Sequence, residues 1–196
     1  MLNDKLKNYL HLHVIGFIWG FTAIFGKLIS LEALDLVWFR MFFGALFIVG
    51  FLIYKKDSIK VPFNVLMGFI VSGIIIAAHW YTFYQAIKVS NISITLACLS
   101  TGAFFASLIE PVFYKRKVIW YEVAFGLLAV IGISIIFNAE TNHKLGIILA
   151  IISAFLSALF SVINSKYAKI YDANVISFYE LSSGVFFLSL YLLATE

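Results

Sequence analysis

An all-α, polytopic membrane bundle of seven helices is the fold class the sequence predicts. Hydrophobic residues make up 63% of the 196 positions and charged residues only 12%, with a mean hydropathy of +1.01. A soluble domain carries about a quarter charged residues, so this chain cannot cover a water-facing surface and takes lipid as its solvent. In lipid every backbone polar group must be satisfied internally, which leaves helices or a closed barrel. Barrel strands alternate apolar and polar residues. Here the apolar runs are continuous and about 20 residues long, the helix length that crosses a ~30 Å hydrocarbon core.

The first span, Leu10–Ile29, follows Lys5 and Lys7. Its apolar run is too long for a cleaved leader, and no A-x-A cleavage pattern follows it. His11 and His13 are two residues apart, face different sides of a helix and cannot chelate one ion well. Trp19 is the aromatic candidate for solute contact in this span. The second span, Leu36–Tyr54, holds Arg40 one turn inside its end. An unpaired arginine in hydrocarbon costs about 2.5–3.5 kcal/mol or more. Arg40 can snorkel outward, pair with Glu32 or Asp35, or meet a substrate carboxylate.

The third span, Phe63–Ile87, contains AAHWYTFYQAIK. At 100° per residue Gly73, Ala77, Trp80, Tyr81, Tyr84, Gln85 and Lys88 share one arc. That arc reads either as the wall of a cavity for an organic solute or as an aromatic belt at headgroup depth. His79 points the other way, on a line with Ser72, as a hydrogen-bonded packing histidine or a proton carrier.

The fourth span, Ile92–Tyr114, sets Thr95, Gly102, Ala106 and Glu110 along one face. Small residues at this spacing indicate close helix packing; Thr95 is also a candidate binding residue. Glu110 is a candidate for proton or ion coupling, with Lys115 or Arg116 able to neutralise it. Pro111 removes an amide donor and predicts a kink. Tyr121–Ala139 forms the fifth span and Leu145–Lys166 the sixth, where Asn164 is expected to bond between helices. The seventh, Val175–Ala194, carries Tyr179 and Glu180 near its start. Cys98 is the single cysteine, so neither a disulfide nor a multi-thiolate metal site is expected. No phosphate-cradling loop, zinc-protease motif or nucleophile elbow occurs, so no cofactor, no metal and no enzymatic activity is expected. No basic arm suggests nucleic acid.

Short loops make neighbouring helices antiparallel. One side then collects ten of the fourteen Lys and Arg residues, among them Lys55, Lys56, Lys115, Arg116, Lys117 and Lys166. The other collects Lys27, Arg40, Lys88 and Lys144. The positive-inside rule places the N-terminus in the cytoplasm of a multi-pass cell-membrane protein.

Sliding the chain by 139 residues lays the first two spans on the last two. Phe21 meets Phe160, Ile24 meets Ile163, Lys27 meets Lys166, Phe39 meets Phe178 and Phe47 meets Phe186. Five spans precede the second copy, an odd number, so it enters the membrane upside-down. That is an inverted-topology repeat, with residues 1–140 as a first five-helix unit and 141–196 as two helices of a second. Inversion sets Arg40 and the pair Tyr179/Glu180 at opposite mouths of one pocket.

The succession WGFTAIFGKL, VWFRMFFGAL, YTFYQAIKVSNISITLACLSTGAFFASLIEPVF and YEVAFGLLAVIGISIIF resembles the EamA-type permeases of the drug/metabolite transporter superfamily. The resemblance covers almost the whole chain. It departs before the fifth helix, where KRKVIWYE stands in place of the family's usual Glu-Arg pair and longer link. It implies a ten-helix architecture of two inverted halves, of which seven helices are present, and an activity moving small organic metabolites, amino-acid-like or drug-like, by gradient-driven alternating access. The expected partners are the lipid bilayer, a small-molecule substrate, and either a second copy or missing C-terminal helices. Two other classes compete: a truncated membrane subunit that only assembles with partner helices, and a seven-helix receptor. An opsin-like receptor would need a mid-span lysine in its last helix, and Val175–Ala194 has none.

Overall fold

The computed structural model describes residues 4–56, 58–139 and 141–195. Its helices are α1 (Asp4–Leu28), α2 (Ala33–Lys55), α3 (Phe63–Val89), α4 (Ile92–Leu99), α5 (Gly102–Tyr114), α6 (Trp120–Ala139), α7 (Lys144–Tyr167) and α8 (Ala173–Thr195). With α4 and α5 taken as one span, seven spans are long and apolar enough to cross a membrane among the described residues. Each of the seven expected spans is present. Glu140, the last residue of the expected first repeat unit, lies outside the described residues.

The fourth span differs from expectation. Its helix runs through Pro111, and a break that the sequence did not lead one to expect lies ten residues earlier, at Ser100 and Thr101. Both hydroxyls fold back on the carbonyl three residues before, Ser100 on Ala97 at 2.6 Å and Thr101 on Cys98 at 2.7 Å. Their amides bond the same two carbonyls, at 3.2 and 3.1 Å, which tightens one turn to 3₁₀ geometry. Hydroxyl competition for the backbone is what separates α4 from α5. The proline sits near the end of α5, where the chain leaves the helix at Lys115 in the left-handed region, φ 50°.

α3 is the central post. It lies against α7 and α8, with α2 packed on both α8 and α3 and α1 touching α3 near one end. Two apolar clusters fill the interior. Val37, Met41, Ile76, Phe83 and Ile87 join α2 to α3; Ala86, Cys98, Ile133, Ile147 and Ala150 join α3, α4, α6 and α7. In lipid no hydrophobic force drives helices together, so close packing of small residues does that work. At the α3–α8 crossing, Gly73 lies directly beneath the Glu180 carbonyl and the Ser183 hydroxyl. α1 and α6 bury the least of their surface.

The loops hold the helix ends in register. Lys27 donates to the Ile87 carbonyl at 3.3 Å and Lys88 to the Ile29 carbonyl at 3.2 Å, so α1 and α3 each cap the other's C-terminal end. At the opposite end Asp172 accepts from the amide of Asn174 at 2.8 Å and caps α8. The backbone and side-chain bonds from Asn174 hold its carboxyl below the usual range. That stability is present above the ordinary carboxylate range and is lost as pH falls through the lowered value.

Candidate functional site

Arg40 does not pair with Glu32 or Asp35 among the described ion pairs. It turns into the bundle. Its guanidinium lies over the Trp80 ring, 4.1 Å from the centroid, and donates to the Tyr84 hydroxyl. Two of the arc residues of α3 thus become its seat, because Trp80 and Tyr84 are one turn apart on the same helix face. A desolvated cation–π contact contributes about 2 kcal/mol and a hydrogen bond to a charged group about 1.5–3 kcal/mol. Together they stabilise this half-buried cation within the span and leave further guanidinium donors for an anion. A cleft of about 620 Å³ opens at this point, lined by Thr22, Phe25, Gly26, Phe39, Arg40 and Phe43 among others. Apolar walls with one oriented charge are the usual make-up of a small-molecule site.

Two turns along α3 lies a second polar group. Glu180 is 3% exposed, and its Oε2 accepts from Asn164 Nδ2 at 3.2 Å. This joins α7 to α8, the interhelical bond expected of Asn164. Ser183 donates to the Glu180 carbonyl at 3.0 Å, and Ser72 is wholly buried on the facing helix. Between the two groups Met41 rests on Gly184. His79 lies on the α7 side of α3. Its Nδ1 donates to the Ser153 carbonyl at 2.9 Å, while Ser153 Oγ donates to the His79 carbonyl at 3.1 Å.

The remaining predicted residues are dispersed. Tyr179 stands at the opposite end of α3 from Tyr84, about 22 Å away by the helical rise; it stacks on Phe69 and donates to the Ile59 carbonyl at 2.8 Å. Tyr81 is exposed and Gln85 half-buried. Thr95 is buried, and its hydroxyl donates to the Asn91 carbonyl at 2.9 Å. Trp19 is 69% exposed on α1 and is not among the residues that line Arg40's cleft. Glu110 is clamped by Arg116 at 2.7 Å, and Glu122 shares that guanidinium at 3.3 Å. These bonds, the Glu110 hydrogen bond first, hold Arg116 above its ordinary range. Ser153 was not singled out by the sequence, and Ser72 was named only as lying on the His79 side of α3. Their signal is slight: a serine inside an apolar span, at the level of a histidine or carboxylate across a helix contact.

The chain matches the EamA-like transporter family over residues 7–138, from α1 through α6. No curated protein and no solved structure matches it. The matched stretch contains Arg40, Trp80 and Tyr84 and the broken fourth span, and exceeds half of the sequence. With seven membrane-crossing helices and a charged, apolar-walled cleft between them, the chain belongs to the EamA-like transporter family of membrane transporters.

Proposed function

We propose that this chain carries small organic anions, amino-acid-like or aromatic carboxylates, across the cell membrane by alternating access. The observation that carries this reading is Arg40, a cation inside a span, seated on Trp80 and Tyr84 at the edge of the apolar cleft. The guanidinium fork would take the carboxylate, and the Phe25, Phe39 and Phe43 rings the organic body. The charge distribution supports a cytoplasmic N-terminus, which puts the Arg40 mouth on the outer side.

Packing of α2 on α8 supports the inverted repeat, with units at 1–140 and 141–196. Trp38 bonds Ser189 at 2.7 Å, Met41 meets Gly184 and Gly44 meets Leu181. Each step forward on α2 is a step back on α8, so the pair is antiparallel. The 139-residue offset equates Phe43 with Ser182, and these two fall inside that run of contacts, midway along both helices. A half-turn axis in the membrane plane would pass there.

Purified chain in liposomes preloaded with an aromatic amino acid should take up the same labelled solute faster than into unloaded liposomes. Uptake equal to that of protein-free liposomes across a panel of carboxylates would remove the reading.

A further inference from the structure

We infer that Glu180 and Asn164 form a proton-holding pair, a carboxylic acid closed onto a carboxamide, between α7 and α8. Glu180 Oε2 already accepts from Asn164 Nδ2. The other half of each group, Glu180 Oε1 and Asn164 Oδ1, is buried with no hydrogen-bond partner. Both orphaned atoms are acceptors while the carboxyl is ionised. One proton on Oε1 makes it a donor to Oδ1, satisfies both orphans at once and closes a ring of two parallel hydrogen bonds. Ionised, the same carboxylate would lie unpaired in the hydrocarbon span, an arrangement that membrane proteins avoid.

Nothing charged competes for the site. On α3 the neighbours at this level are Ser72 and Gly73, with Ser72 Oγ also unpartnered. On α2 the neighbour is Met41, which rests on Gly184 one turn along α8 from Glu180. The titratable groups of the surrounding helices are engaged elsewhere: Arg40 with Trp80 and Tyr84, His79 with Ser153, Tyr179 with Phe69 and Ile59, Tyr167 with Phe69, and Lys166 with Phe113 and Tyr114. No ion pair reaches Glu180 among the described residues.

The proton enters and leaves only when α7 and α8 part enough to admit water. No other bond changes: the proton passes to a water molecule and Glu180 keeps the negative charge. Resting on the transport reading above, this ties proton release to the opening of the bundle and makes Glu180, rather than the Arg116-bound Glu110, the coupling carboxyl.

Infrared difference spectra of the full chain in liposomes test the pair without any solute. At neutral pH the wild type should show the carbonyl stretch of a protonated carboxyl. Glu180→Gln should lack it, and Asn164→Ala should shift it to higher frequency. Gln at 180 can still pair with Asn164 through its own amide, so this variant keeps the fold. In flux assays E180Q should abolish the pH dependence of uptake. Absence of an E180Q-sensitive band, or a band that appears only when sodium is withdrawn, would overturn the pair. A band together with an unchanged pH profile of uptake in E180Q would overturn the coupling role. A band in a chain that moves no solute would support the pair and count against the transport reading instead.

Discussion

Arg40→Gln is expected to lower carboxylate uptake by roughly 10- to 100-fold, the equivalent of one hydrogen-bonded charge contact of about 1.5–3 kcal/mol. The side chain is long enough to keep its stem among the apolar residues, so the loss should come from the charge. Arg40→Lys should recover part of the rate but not all of it. Lysine restores the charge as a point, without the fork that grips a carboxylate through two parallel bonds or the flat face that lies on Trp80. An uncharged solute of the same shape should be affected far less by either change. Initial rates for a carboxylate and its amide, side by side in wild type and both variants, check this. Equal loss for both solutes would make Arg40 a structural residue.

Gly73→Ala is expected to destabilise the bundle by about 1–3 kcal/mol, in the manner of an overpacked core. The added methyl would run into the Glu180 carbonyl and the Ser183 hydroxyl. The first of these is main chain of α8 and cannot swing aside, so α3 and α8 must separate. Gly132→Ala is the matched control. Nothing lies within 4 Å of that position, and removing a mid-helix glycine should leave stability unchanged or raise it by up to about 1 kcal/mol. Thermal unfolding in detergent of the two variants reads the difference directly.

The spans were legible because their signal is local: a run of apolar residues long enough for the bilayer needs no knowledge of partners. The break in the fourth span was present in the sequence as Leu99-Ser100-Thr101-Gly102, but Pro111 drew the expectation of a kink. Two adjacent hydroxyls turned on the backbone divide the span at Ser100 and Thr101. Arg40's seat required knowing that α2 crosses α3 at Trp80, and no periodicity within either helix carries that. The arc on α3 named Trp80 and Tyr84 together with Tyr81, which the packing leaves exposed. Single-helix geometry tells which residues share a face but not how wide the facing helix is. Asn164 was read as an interhelical bond from its chemistry alone; that its partner is Glu180 followed only from the approach of α7 to α8.

Thiol labelling of Thr22→Cys from the side carrying Glu32 and Lys88 tests alternating access most directly. Thr22 lines the Arg40 cleft, and the native Cys98 is fully buried, so a membrane-impermeant reagent reports the new thiol. The account predicts that solute added on the same side slows labelling by occupying the cleft. Solute confined to the opposite side should also change the rate, by shifting the population between the two openings. A labelling rate indifferent to solute on either side would contradict a carrier with one pocket reached in turn from each face.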